Sequence, residues 1–238
     1  GGKPRVIVLN KADLADEAAT RAWVNCFATQ GITAVPVDAV KGRGVKELVQ
    51  EIAKCAKPKT DKLVQHGAKA RAARCMILGI PNVGKSSLIN RLSGGSKTKV
   101  ENRPGVTRAK QWIRIGAQLE LLDMPGILWP KFEDRQAALH LAFTGAINDN
   151  VYDVASVVLL LLDTLRMRYP SDLMERYRLE KELPSGMELL EEIGRKRGCL
   201  RAGGKVDYEK AEQIVLTDFR SGRLGRVTLD DFPPIPTI

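Results

Sequence analysis

The sequence predicts an α/β domain with a mostly parallel sheet, followed by a smaller all-helical domain. Three observations lead there: strand and helix patterns alternate through the first 56 residues, a later strand runs straight into a glycine-rich turn at Gly79, and strand signals cease beyond Glu133. A chain of 238 residues, 44% apolar and 28% charged, buries such cores without disulfide support. The expected division is residues 1–132 and residues 133–238.

Residues 5–9 form a short apolar run that ends at Asn10-Lys-Ala-Asp13, as a buried parallel strand ends in a loop. Ala18, Ala22, Trp23 and Phe27 stand at helical spacing and predict a helix over 16–30, stopped by Gly31. A second strand is expected over 32–37, then a loop over 38–42 and a helix over 45–56 with Leu48, Val49 and Ile52 turned inward. Residues 58–70 are polar and basic, and read as an irregular connector. The strand over 75–78 enters Gly79-Ile-Pro-Asn-Val-Gly-Lys-Ser86, and a helix takes over through 92.

Residues 93–107 have no periodicity and read as a mobile loop; strands over 111–115 and 120–123 form a hairpin around Gly116. Helices are expected over 136–147, 151–165, 171–178, 186–197 and 207–221. The longest apolar run, 154–162, is too short to cross a bilayer and reads as a buried helix. No secretory leader is visible, and the four cysteines are scattered, so a reducing compartment, the cytoplasm, is the expected setting.

The net charge of +10 is concentrated: residues 41–110 hold 17 Lys and Arg against 4 Asp and Glu. Such a field attracts polyanions, and a solvated linker would carry the same charge. Arg195-Lys-Arg197, with Arg201 and Lys205, reads equally as a set of phosphate contacts or as the cations a helix C-terminus favours.

Gly79-x4-Gly84-Lys85-Ser86, between a strand and a helix, has the pattern and the context of a phosphate-binding loop. Its glycines let successive N–H groups close round phosphate oxygens. Lys85 would reach the β- and γ-phosphates, and Ser86 would give its hydroxyl to Mg²⁺. Asn10-Lys11-Ala12-Asp13 selects the base, because the Asp13 carboxylate accepts both N1–H and the exocyclic amino group of guanine, which adenine cannot offer. Lys11 would lie along the base plane, Asn10 would brace the loop, and the backbone at Asp38-Ala39-Val40 would donate to guanine O6. Asp123, at a strand end, would hold Mg²⁺ through water, while the Gly126 N–H bonds the γ-phosphate and Thr107 completes the metal shell. Lys85, Thr107 and Gly126 form the expected catalytic set. Ile127 stands where a water-orienting glutamine is usual, so slow intrinsic hydrolysis is expected.

The guanine motifs precede the phosphate loop, the reverse of the ordinary order, which a circular permutation explains. With Gly79-Ile-Pro-Asn-Val-Gly-Lys-Ser-Ser87, Arg103-Pro-Gly-Val-Thr107, residues 123–134 (Asp-Met-Pro-Gly-Ile-Leu-Trp-Pro-Lys-Phe-Glu-Asp) and residues 197–204 (Arg-Gly-Cys-Leu-Arg-Ala-Gly-Gly), the chain closely resembles the YlqF/RbgA family of circularly permuted ribosome-assembly GTPases. The resemblance implies GTP and GDP as ligands, held by the phosphate-loop residues Asn82, Val83, Gly84, Lys85, Ser86 and Ser87 with the motifs above, and potassium near Asn82. It also implies a precursor of the large ribosomal subunit as partner, rRNA contact by both domains, and hydrolysis stimulated by the subunit. A monomer without membrane attachment is expected.

Family members carry an additional N-terminal strand and helix with a histidine proposed to aid catalysis; neither His66 nor His140 matches it. The sheet is therefore expected to lack an edge strand. The core motifs alone also fit a nucleotide-gated RNA-binding module, or a GTPase acting on the small subunit or a membrane process.

Overall fold

The computed structural model describes residues 3–66, 72–94, 111–115, 119–123, 134–180 and 182–231. The chain divides into two compact units, the first formed mainly by Gly1–Trp129 and the second by Pro130–Leu229.

In the first unit, β1 (Val6–Asn10) pairs in parallel with β2 (Thr33–Val37), with Val6 opposite Thr33 and Asn10 opposite Val37. The connecting helix α1 (Glu17–Thr29) starts where the Asp16 carboxylate accepts the Ala19 N–H at 2.7 Å, which satisfies an amide that the helix cannot. Helix α2 (Val45–Gln65) follows. The expected connector at 58–70 is thus helical as far as Gln65. Pro58 sits inside α2, and good helix formers on both sides carry the helix past the one hydrogen bond the proline lacks.

β3 (Ala73–Met76) lies two residues earlier than the expected strand, because pairing with β5 (Leu119–Asp123) sets its limits: Ala73 stands opposite Leu119 and Met76 opposite Leu122. Helix α3 (Lys85–Leu92) follows the glycine-rich turn. β4 (Gln111–Ile115) pairs antiparallel with β5, as the hairpin pattern predicts, giving the order β3-β5-β4.

Among the described residues these strands make two sheets rather than one, since β1 pairs only with β2 and β3 only with β5. A discontinuity thus lies between β1 and β3. Side chains bridge it: Ile52 of α2, Ile77 and Leu92 of α3 pack into both apolar clusters, one around Val35, Val37 and Leu88 and the other around Ile89, Leu119 and Leu121.

The second unit is all-helical: α4 (Arg135–Phe143), α5 (Val154–Arg168), α6 (Pro170–Tyr177), α7 (Gly186–Lys196) and α8 (Tyr208–Arg220), with a short 3-10 turn at Asp149–Val151. The apolar run in α5 supplies its centre. Val158, Leu161, Leu162 and Leu165 are fully buried among α4, α6, α7 and α8, against Leu189, Leu190, Ile193, Val215 and Leu216. Asp134, Asp153 and Asp207 cap α4, α5 and α8 by accepting first-turn amides. Among the described residues no helix is long and apolar enough to cross a membrane.

Two arginines staple this bundle. Arg176 grips the buried Asp218 with two hydrogen bonds, 2.9 and 2.8 Å. Arg220 donates to the Phe143 and Ala142 carbonyls at 3.0 and 2.9 Å and to both oxygens of Asp149 at 2.9 and 2.8 Å, tying α8 to the end of α4. Those bonds hold the Asp149 carboxyl below its usual range, and burial together with its bond to Asp149 pushes the Tyr152 phenol up to about 12. Arg220→Ala should cost about 2–4 kcal/mol in urea unfolding, because two carbonyls and a carboxylate lose their donor. A folded-state carboxyl held low contributes stability above its unfolded pKa and loses it as pH falls through the folded value. The wild-type advantage over the variant should therefore narrow in acid.

Candidate guanine-nucleotide site

The site is assembled where two loops, far apart in sequence, meet at strand ends. β1 finishes at Asn10, whose side-chain amide donates to the Val83 carbonyl of the glycine-rich turn at 2.9 Å. The approach is close enough to require glycine at position 84. A Cβ there would fall 2.3 Å from the Asn10 amide nitrogen, and the φ of +93° is itself strained for any other residue. Asn10 Oδ1 is buried without a hydrogen-bond partner among the described atoms, so it is an acceptor still to be satisfied.

The turn has the shape of an anion cradle. Asn82 and Gly84 both have positive φ, 57° and 93°, and Lys85 opens α3 directly afterwards, so backbone amides and the helix N-terminus converge. The Lys85 ammonium is folded back onto the loop, donating to the carbonyls of Gly79 at 2.8 Å and Ile80 at 2.7 Å. Reaching β- and γ-phosphates would require it to leave these carbonyls. Ser86 and Ser87 occupy the first turn of α3, half-buried.

On the other side, Lys11 takes a left-handed conformation (φ 57°), its carbonyl accepts the Leu14 N–H at 2.9 Å, and Ala12 N–H extends the ladder to the Val37 carbonyl at 3.1 Å. This tight turn lifts Asp13 to a half-exposed position where its carboxylate has no hydrogen bond or ion pair among the described residues. Since β1 and β2 are parallel, the loop at 38–42 leaves the sheet at the same end as Asn10. Asp38, 3% exposed, shapes that loop by accepting the Val40 N–H at 3.0 Å and the Lys41 N–H at 2.8 Å. The Val40 N–H, expected to face a base, is engaged by Asp38, whereas the Ala39 N–H makes no hydrogen bond among the described residues.

Arg91, in the last turn of α3, was invisible as a functional residue in the sequence. Its guanidinium donates to the Ala39 carbonyl at 3.1 Å and to the Val40 carbonyl, and Gly42 packs against its side chain. One short helix therefore carries the phosphate cradle at its start and a clamp on the base loop near its end. No local motif marks such a residue, because its partners lie 52 and 51 positions away.

Asp123 closes β5, which runs parallel to β3, so its backbone leaves the sheet at the phosphate-loop end, and Ile77 N–H still reaches the Leu122 carbonyl at 3.2 Å. Thr107 and Gly126, with the loop at 93–107 beyond Gly94 and residues 124–133, lie outside the described residues.

A strand, glycine loop and helix with a base-reading loop docked on the glycine turn, in reversed motif order, define a circularly permuted P-loop GTPase domain. Comparison with known proteins agrees. Residues 74–192 match the model of the 50S ribosome-binding GTPase family. The chain is 46% identical to ribosome biogenesis GTPase A of Bacillus cereus over 96% of its own length and 77% of that protein, and 30% identical to that of Thermotoga maritima over 98% and 79%. The solved GNP-bound YlqF of T. maritima superposes with a TM-score of 0.62 at 28% identity, covering 94% of this chain and 80% of the other. A GDP-bound YlqF gives 0.60 at 29%, covering 94% and 82%. The chain belongs to the ribosome biogenesis GTPase A (YlqF/RbgA) family, and is a GTPase.

Two substitutions probe the juxtaposition. Asn10→Ala removes the brace and should weaken GTP and GDP binding about tenfold by fluorescent-nucleotide titration, the scale of one buried hydrogen bond. Arg91→Ala should loosen the base loop while leaving the cradle intact. Selectivity for GTP over ATP is then expected to fall about tenfold, with inorganic triphosphate affinity unchanged.

Proposed function

We propose that the chain is a GTP/GDP switch that assists late assembly of the large ribosomal subunit, with the helical unit and the basic stretch at 41–110 contacting rRNA. The bond from Asn10 to Val83 carries the reading, since it sets a guanine-reading loop against a phosphate cradle. Asp13 accepts N1–H and the amino group of guanine, Lys11 lies along the base, Ala12 holds the turn, and Ala39 N–H faces O6. Asn82, Val83, Gly84, Lys85, Ser86 and Ser87 wrap the phosphates, with Gly126 at the γ-phosphate.

The residues present suit magnesium. The hydroxyl of Ser86, which makes no hydrogen bond among the described residues, and the carboxylates and hydroxyls of Asp123 and Thr107 are hard oxygen donors, few enough to leave the ion its waters. Bound there, Mg²⁺ would neutralise charge between the β- and γ-phosphates. Potassium is assigned near Asn82. Lys85 supports the same charge once drawn off the Gly79 and Ile80 carbonyls, and Thr107 with Gly126 senses the γ-phosphate. Ile127 cannot orient a water, so the ribosomal particle supplies what the chain lacks. The protein works as a cytoplasmic monomer.

Two measurements test this. In single-turnover assays the isolated chain should hydrolyse GTP slowly, with at least a tenfold increase when large subunits are added; fast hydrolysis by the chain alone would overturn it. In sedimentation with purified ribosomal subunits, the chain should travel with large subunits in a non-hydrolysable GTP analogue and stay in solution with GDP. Association with small subunits instead would refute the assignment.

A further inference from the structure

The helical unit carries a cleft of about 190 Å³ far in sequence from the nucleotide loops, lined by Arg197, Lys210, Gln213, Ile214, Thr217, Asp218 and Arg223. Three separate stretches of backbone bring cations to it. Arg197 caps the C-terminus of α7, Lys210 lies in the first turn of α8, and Arg223 follows the turn that ends α8. Lys210, Gln213, Ile214 and Thr217 stand at positions i, i+3, i+4 and i+7, so they share one face of α8.

The charge balance of the cleft is lopsided. Its one carboxylate, Asp218, is already matched by the bidentate Arg176, with a further contact to Arg223 at 3.3 Å. Although burial raises it, those guanidinium contacts leave the Asp218 carboxyl below its usual range and ionised, so it holds Arg223 at the rim. The Arg197 and Lys210 side chains are exposed and make no hydrogen bond or ion pair among the described residues. Nearby Arg195 and Arg201, by contrast, are tied to Glu191 and Asp207. Of the basic run around 195–205, Arg197 is the residue that lines the cleft, and packing adds Lys210 and Arg223, which no run of charge reveals.

We propose that this cleft binds the phosphate backbone of RNA, with Arg197 and Lys210 as its principal contacts. Arg, Lys, Gln and Thr are the donors that meet phosphate and sugar oxygens, and they position a strand without reading its sequence. The exposed, long side chains suit a backbone passing over the surface, and Ile214 gives a ribose an apolar floor. The inference rests on the ribosomal reading above and gives it an address within the helical unit.

The test measures binding of the full chain to purified large-subunit ribosomal RNA across a salt series, for wild type, Arg197→Ala/Lys210→Ala and a charge-matched control outside the proposed RNA contacts, Lys3→Ala/Arg5→Ala. All four substituted side chains are exposed, and thermal melts confirm that each variant folds. Loss of two phosphate contacts should lower the slope of log K against log salt by roughly 1.4 to 2 and affinity about tenfold, with the control near wild type. Equal losses in both variants would mean a diffuse field, overturning the cleft while leaving the ribosomal reading intact. A wild-type chain that binds guanine nucleotide but not the RNA would remove that reading and the cleft with it. Binding to anionic vesicles that the cleft variant loses, without RNA binding, would reassign the cleft to lipid phosphate and overturn the proposal.

Discussion

The side chain of Asn10 crosses 73 positions of sequence to the Val83 carbonyl, and the juxtaposition of the two loops of the candidate site depends on that docking. A base reader and a phosphate cradle have separate uses in many proteins. They make one site only if their spacing matches one nucleoside phosphate. Here the spacing is enforced sterically as well as by the hydrogen bond, because Gly84 admits the asparagine where any side chain would exclude it. Reversal of the motifs along the chain leaves this contact untouched, since it joins strand ends and is indifferent to chain order.

α3 adds a second link between the same two regions. Its first residue is the phosphate-loop lysine, and its last turn holds Arg91 against the carbonyls of the base loop. A helix of eight residues is about 12 Å long and stiff on that scale, so the ends move together. A phosphate bound at one end would act on the base loop through a rigid element rather than through a chain of soft contacts. Lys85 itself rests on carbonyls of its own loop, so the cradle's cation is held within reach of its own turn.

Much of this was legible in the sequence where the determinant is local. The glycine and lysine spacing of residues 79–86, the turn at Asn10 to Asp13, the hairpin around Gly116 and the helical periodicity past residue 133 each report backbone geometry within a few positions. The aspartate caps of α4, α5 and α8 are local in the same way. What could not be read was long-range. Pro58 reads as a break, yet α2 continues to Gln65 because its neighbours favour helix. The limits of β3 come from its partner strand. Val40 looked like a donor until Asp38 folded under it, and Arg91 has no signature at all, since both of its partners are carbonyls on another loop. Ordinary surface cations in sequence, Lys210 and Arg223 become neighbours of Arg197 only through the packing of α7 on α8.

The split of the strands into two sheets carries a thermodynamic corollary. Among the described residues each sheet owns half of the site, and between them lie side-chain packing and the hydrogen bonds of Asn10 and Arg91 instead of a continuous ladder, an arrangement in which the halves can open at different free energies. A guanosine phosphate spanning both would act as a tie beam. By mass action its binding energy would become cohesion between the halves, and amide exchange in β1 and β2 would become a gauge of nucleotide occupancy at the phosphate loop.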